Sequence, residues 1–265
     1  MRAMGKIIGL TYDLKSDWDI HAGDPADINA EFDKPETVQR VIAALESGGH
    51  TVKRIGNVHC LLAQIDALDV DIVFNICEGT SGRNRESQVP MLLEMKKIPY
   101  VGADALTLGL ALDKVIAKKM FIAEGIPTPC FFEANTGDDL TTLNTIGFPL
   151  IVKTRHEGSS KGITNQSRVE DQEGLIRQAT LINHLYSQPA LVEEFIKGME
   201  FTVAVLGNDH PQAMPVVQVS IDGNVQLGDE FYTYDRIEST DLEYICPAKI
   251  SGELTAQIQE LAAAA

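Results

Sequence analysis

The stretch Phe148-Pro149-Leu150-Ile151-Val152-Lys153-Thr154-Arg155-His156-Glu157-Gly158-Ser159-Ser160-Lys161-Gly162 decides how the rest of the chain is read. Leu150-Ile151-Val152 is a short apolar run that reads as a buried strand, and it delivers Lys153 at its end. A loop of small and polar residues follows, from Gly158 to Gly162. Glycine lets a backbone turn tightly and approach a ligand, and successive N–H groups in such a turn form a concavity that suits anions. A lysine ammonium is a compact point charge matched to a phosphate oxygen. Strand, lysine and loop together predict a grip for nucleotide phosphates. A solvated hairpin loop has the same composition, so the flanking sequence has to decide between the two.

Upstream, Lys6–Tyr12 predicts a first strand buried on both faces, and residues 13–34 a long irregular loop. Asp33 is expected to cap a helix with Pro35 in its first turn, and Val38, Val41, Ile42 and Leu45 fall on one helical face. Strands are predicted at 51–55, 70–76 and 98–101, with a helix marked by Val89, Leu92 and Leu93 between the last two. Alternating strands and helices predict a parallel sheet. In such sheets ligands bind beyond the carboxyl ends of the strands, where Cys77–Gln88 falls after the third strand. That loop brings Glu78, Arg83 and Arg85, and arginine grips carboxylates bidentately. A carboxylate-bearing substrate is one reading of it and a helix-capping loop with solvated charges the other.

Past 103 the pattern turns helical, with Asp113 leading a segment that contains Lys114 and ends at Gly125. A strand is expected at 130–133 and an amphipathic helix from Val169 to Tyr186. Strands at 190–196 and 200–206 flank Lys197-Gly198-Met199, a further strand runs from Met214 to Ser220, and Asp222-Gly223 is a hairpin signal. Consecutive strands joined by tight turns predict an antiparallel sheet. A polar loop at 229–241 and a helix with Leu254, Ile258 and Leu261 complete the chain.

Composition excludes several classes. With 22 basic against 38 acidic residues among 265, the net charge of −16 argues against nucleic acid or an anionic membrane as partner. No apolar run is long enough to span a bilayer, and residues 1–11 lack a signal peptide's apolar region. Cys60, Cys77, Cys130 and Cys246 show no paired spacing, which fits reduced thiols and a cytoplasmic protein rather than a zinc or disulfide framework.

Lys114, Lys153 with its Gly-Ser loop, and the strand pair bearing Glu193 and Glu200 fall in an order suited to a triphosphate, an adenine amino group and ribose hydroxyls. Here the sequence resembles the ATP-grasp superfamily and, within it, the D-alanine–D-alanine ligases. The resemblance rests on Pro99-Tyr100-Val101-Gly102, Asp113-Lys114, Gly125-Ile126-Pro127-Thr128-Pro129, Phe148–Lys153, Glu157–Ile163, Val192–Ile196, Gly198–Val203 and Tyr244–Ala248. It implies α/β and α+β structure: a parallel α/β domain at 1–101, then two α+β lobes, 102–189 and an incomplete 190–265, that hold ATP between them. By position Lys114 and Lys153 would bind phosphates, and Gly158, Ser159 and Ser160 would close over them. Glu193 would meet the adenine, the backbone of Phe195 and Ile196 its ring edge, and Glu200 the ribose. The implied reaction joins two amino acids, D-alanine favoured, through an acyl phosphate. It places the enzyme in peptidoglycan biosynthesis, and the family is commonly homodimeric.

Departures from the family pattern concern the substrates. The N-terminal Gly-Gly…Ser…Glu signature is replaced by Thr11–Leu14 and a loop to Glu31-Phe32-Asp33. His-Gly and the Gly-Glu-Asp-Gly turn are replaced by Glu78-Gly79 and Arg83-Asn84-Arg85-Glu86. The family's catalytic Lys-Tyr pair falls near Arg236-Ile237-Glu238, where Arg236 is the candidate substitute for the lysine. Lys161 stands where the family usually has an aliphatic residue. The family's Mg2+ ligands are an Asp and a Glu-x-Asn; no Glu-x-Asn occurs downstream of Glu200, and these ligands are expected beyond Ala265.

Overall fold

The computed structural model describes residues 5–237 and 239–265, so Glu238 lies outside the described residues. Two compact units emerge. The first runs to Ile116 and takes in His156–Gly158; the second comprises Ala117–Arg155 and Ser159–Ala265. Residues 102–116 fall within the first of these units.

The first unit is built from β1 (Ile7–Tyr12), α1 (Pro35–Ser47), β2 (Thr51–Gly56), α2 (Val58–Gln64), β3 (Ile72–Ile76), α3 (Gln88–Lys96), β4 (Tyr100–Val101) and α4 (Ala105–Leu112). Its sheet has the order β2-β1-β3-β4 and every pairing is parallel, as the alternation predicts. Consecutive residues of a strand point to opposite faces. Phe74 accordingly packs with Leu10, Val38 and Ile42 of α1, while its neighbour Val73 packs with Ile55, Leu61 of α2, and Val89 and Leu93 of α3. A sheet covered on both faces needs the continuous apolar strands this sequence has.

Asp33 does not cap α1. The N-cap position is taken by Lys34, and Pro35 opens the helix. Asp33 instead accepts from the Lys15 N–H (3.0 Å) and donates its own N–H to the Asp13 carbonyl (2.9 Å). Backbone pairing draws Asp33 away from the helix and folds the 13–34 loop back against its own start, where the rings of Trp18 and Phe32 meet in a tilted arrangement with centroids 5.4 Å apart.

A fifth helix, α5 (Lys114–Ala123), starts in the first unit and runs into the second. The Asp113 carboxylate accepts from the Ile116 N–H (3.2 Å), so the expected lead residue does cap this helix. The second unit continues with β5 (Phe131–Ala134), α6 (Leu140–Leu143), β6 (Leu150–Thr154), β7 (Arg168–Val169), α7 (Gln172–Leu185) and β8 (Ala190–Glu194). These strands form an antiparallel sheet of order β5-β8-β6-β7. Leu175, Ala179 and Ile182 of α7 pack on Leu150, Val152 and Val192. The helix starts later than Val169, because Asp171 caps it through the Gly174 N–H (2.8 Å) and Val169 pairs with Leu150 in β7.

The remaining elements are β9 (Phe201–Thr202), β10 (Val205–Leu206), β11 (Gln212–Ala213), β12 (Val217–Ile221), α8 (Tyr234–Ile237), β13 (Leu242–Ile245) and α9 (Gly252–Ala264). Strands β13-β12-β9 form an antiparallel sheet, and β10 pairs with β11. Asp222 and Gly223 take positive φ values of 51° and 75° and close a tight turn between Ile221 and Asn224, as expected. The sequence treats 190–196 and 200–206 as neighbouring strands of one sheet, and the structure corrects this. Buried β8 takes both partners from β5 and β6, whereas β9 pairs with β12.

Leu150 is fully buried at the centre of the second unit's core. Leu150→Ala is expected to cost about 2–5 kcal/mol of stability, read from the midpoint of urea denaturation, because the rigid sheet–helix layer cannot close over the cavity.

Candidate nucleotide site and its polar neighbour

Strand β6 divides its residues between core and chemistry. Leu150, Val152 and Thr154 face α7, while Ile151 and Lys153 face a cleft of about 510 Å³ in the second unit. Ser160 and Ile163 from the following loop, Glu200, Phe201 and Thr202, and the aromatic residues Phe231, Tyr232 and Tyr244 complete much of its lining. The hydroxyls of Tyr232 and Tyr244 are hydrogen-bonded to each other, and Tyr232 also packs against Val219, Ile221 and Leu227. The cleft thus offers a lysine, a carboxyl and aromatic faces together.

Glu193 lies on β8 opposite Ile151, on the same face as Lys153. Its carboxylate accepts from Lys153 Nζ (2.5 Å) and from Lys118 Nζ (2.6 Å). Burial pushes this carboxyl up, but Lys153 and Lys118 more than offset that and hold it below the usual glutamate range. Lys118 is buried: it donates to Thr128 Oγ1 (2.6 Å) and sits 5.0 Å above the Phe131 ring. Lys153 is the more open lysine, its side chain 27% exposed against 7% for Lys118, so it is the one that lines the cleft. Glu200 behaves differently from Glu193. Burial raises its carboxyl, and Lys153 only partly counters the effect.

After β6 the loop is held in an unusual conformation. Ser159 and Ser160 have φ values of 47° and 54°, and each non-glycine residue in this region costs about 1 kcal/mol or more. Gly162 combines φ 80° with a crowded site, since a Cβ there would stand 2.5 Å from Thr154 Cγ2. Thr154 Oγ1 donates to the Lys161 carbonyl (2.8 Å), and the Ile163 N–H donates to Ser160 (2.9 Å). Lys161 itself is buried. Gly158 needs no positive φ; its missing side chain makes room for Glu31 Oε1, which a Cβ would approach to 3.1 Å.

Phe195 is buried, with Arg168 over its ring at 5.0 Å and Phe231 edge-on at 5.7 Å, and its N–H donates to Pro149 (3.1 Å). Ile196 is exposed. Arg236 is not among the residues lining the cleft: its guanidinium donates to the Phe231 carbonyl (2.8 Å) and pairs with Glu230, bracing its own loop.

The other predicted residues meet in the first unit. Both the Glu78 and Gly79 N–H groups donate to Asp13 Oδ2 at 2.9 Å. Arg85 is buried, donating to both oxygens of Glu31 (2.7 and 2.8 Å), to Glu157 (3.2 Å) and to the His156 carbonyl (3.0 Å). Arg83 is open to solvent and pairs with Asp113 (2.9 Å), which also meets His156 Nε2 (3.3 Å). Lys114 Nζ donates to the Glu157 carbonyl. Burial raises the Glu86 carboxyl above the usual glutamate range, with Arg85 opposing the rise. Burial, then Glu86 and Glu31, push the Glu78 carboxyl up to about 8, against a smaller opposing effect of Arg85.

Sequence reasoning missed Lys118 as Glu193's second partner. A lysine one turn beyond Lys114 looks the same as its solvated neighbour Lys119, and only burial separates them. It also treated Glu31 only as a departure from a pattern, because no local spacing links positions 31, 85 and 158.

A family model described as the D-ala D-ala ligase C-terminus matches residues 123–265. The D-alanine–D-alanine ligase of Janthinobacterium sp. (strain Marseille) is 34% identical over 232 residues, covering 85% of this chain and 69% of that protein. An uncharacterized protein, y4sG of Sinorhizobium fredii (strain NBRC 101917 / NGR234), is 33% identical over 84% of this chain and 67% of its own length. A crystal structure of D-alanine–D-alanine ligase from Bacillus anthracis complexed with ATP superposes with a TM-score of 0.69 at 22% identity, covering 98% of this chain and 76% of that one. The fold is the ATP-grasp fold of such ligases. The chain belongs to the D-alanine–D-alanine ligase family.

Glu78 yields a pH prediction. Folded, its carboxyl keeps a proton to about pH 8, whereas unfolded it releases it near 4.5, so rising pH favours the unfolded chain across that window. Stability is expected to decline from about pH 5 to pH 8, and Glu78→Gln to flatten the decline. Urea titrations at several pH values measure the slope, and an identical slope in the variant contradicts the assignment.

Proposed function

We propose that the protein is an ATP-dependent carboxylate–amine ligase that joins two amino acids, with D-alanine the favoured substrate. The observation that carries this reading is the cleft lined by Lys153, Ser160 and Glu200, with Lys153 braced by buried Glu193. Family membership supports it independently.

In this reading Lys153 meets ATP phosphates, and Ser159–Gly162 supplies N–H groups and hydroxyls to the same oxygens. Glu200, whose carboxyl burial raises, accepts from ribose hydroxyls. Both oxygens of Glu193 already accept from lysines, so its first task is to hold Lys153 in place, and any adenine contact is made with its remaining lone pairs. Because the Phe195 N–H is bonded to Pro149, the adenine-edge contact falls to the Ile196 backbone. Lys114, in the first unit, is assigned to the phosphates by its position in the family motif.

A carboxylate oxygen of the first amino acid attacks the γ-phosphorus and ADP leaves. The amine of the second attacks the resulting acyl phosphate, expelling phosphate and forming the amide. The chain's contribution is to neutralise charge on the transferring group and to keep water from the acyl phosphate. Among the described residues no group of three or more His, Cys, Asp and Glu side chains is placed to hold a metal ion. No helix among the described residues is long and apolar enough to cross a membrane.

A second substrate reading, a ligase for other amino or hydroxy acids, is favoured by the first unit. Arg85 there is engaged by Glu31 and Glu157, in the loop that replaces the family's Gly-Glu-Asp-Gly turn. Mass spectrometry of the product separates the two readings.

Two outcomes test the proposal. The full-length protein is expected to release ADP from ATP only when amino acids are supplied, and a panel without any stimulating member would sink the catalytic reading. Lys153→Ala is expected to weaken ATP binding by about tenfold to a hundredfold, the loss of one partly desolvated charge contact. Calorimetric titration measures it, and an unchanged affinity contradicts the role given to Lys153.

A further inference from the structure

Residues 156–158, which lead directly into the Ser159–Gly162 loop, are each bonded to one buried pair, Glu31 and Arg85, while Lys114 holds the Glu157 carbonyl and Asp113 meets the His156 ring. The His156 carbonyl accepts from Arg85 Nη1 (3.0 Å), the Glu157 carboxylate from Arg85 Nη2 (3.2 Å), and the Gly158 N–H donates to Glu31 Oε1. Glu31 and Arg85 are joined to each other at 2.7 and 2.8 Å, and both are nearly inaccessible to solvent. Charge-assisted bonds in such surroundings are strong and directional, and they restrain the backbone at His156 and Gly158 and the side chain of Glu157 between them. The absence of a side chain at Gly158 agrees with this arrangement, since it is Glu31 that fills the space. The loop that follows carries two strained serines, a conformation that persists only where its ends are over-determined.

We propose that Glu31 and Arg85 are positioning residues for the nucleotide loop. Neither touches ATP; they set the backbone of 156–158 and, through it, the place and strain of Ser159 and Ser160. The 13–34 loop is thereby given a task, namely to deliver Glu31. This inference rests on the reading of the Ser159–Gly162 loop as a phosphate site.

The test is the double variant Glu31→Leu with Arg85→Met in the full-length protein, beside Arg85→Lys. Replacing both members of a buried ion pair by apolar residues of similar size is commonly neutral for stability, so the double variant removes the anchor without leaving an orphan charge. Arg85→Lys retains the charge opposite Glu31 but cannot also donate to His156 and Glu157 from one planar group. Thermal melting, ATP affinity and amino-acid-stimulated ADP release are read together. The expected result is melting close to wild type in at least one variant, with ATP bound about tenfold more weakly and turnover about a hundredfold slower in that variant. Wild-type affinity and turnover in a folded variant overturn the inference while leaving the ligase reading intact. A wild-type protein that fails to bind ATP overturns both.

Discussion

A buried carboxylate between two lysines sets the conditions for the second unit. Glu193 lies on a central strand, where an ionised group is costly unless it is paired and hydrogen-bonded. Lys118 comes from a helix and Lys153 from the neighbouring strand, so compensating Glu193 requires β6, β8 and α5 to be packed in one register. The same requirement fixes Lys153 at the wall of the cleft. The pair's functional value lies less in net stability than in holding a positive charge where it can meet an anion.

Strand alternation makes this economical. Along β6, Leu150, Val152 and Thr154 point to the helix-covered core, and Ile151 and Lys153 to the cleft. A slip of one residue would bury the lysine and expose Leu150 and Val152, so the pairing that stabilises the sheet also specifies the site. The loop beyond β6 carries backbone strain at Ser159 and Ser160, and Gly162 is required where φ is positive and Thr154 leaves no room for a Cβ.

The first unit handles charge by a different route. The chain is strongly acidic, and several of its carboxyl groups converge beyond β1 and β3. There Asp13 accepts two backbone N–H bonds, Glu31 is neutralised by Arg85, and Glu78 is kept protonated to about pH 8 by burial and by neighbouring Glu86 and Glu31. Each device removes the cost of a buried charge by other means: hydrogen bonding, pairing or protonation. Such a cluster is electrostatically tuned and sensitive to pH, whereas the lysine-bearing cleft keeps Glu193 ionised.

Much of the fold was legible in the sequence because strand and helix periodicities are local properties. The parallel order of the first sheet's elements, α1, the Asp113 cap, the Asp222-Gly223 turn and the delivery of Lys153 by an apolar strand all follow from neighbours along the chain. So does the family, whose motifs occur in order. What the sequence left open depends on residues far apart. Whether Asp33 caps a helix or pairs with Asp13, whether β8 and β9 share a sheet, and which lysine is buried are settled by competition between distant partners. Arg85 reads as a substrate-gripping arginine by its position in a loop, and the tertiary structure instead gives it Glu31 from 54 residues away. Electrostatic pairing acts through space, so the sequence determined which charges this protein carries, and only the fold decided which of them face a ligand and which face each other.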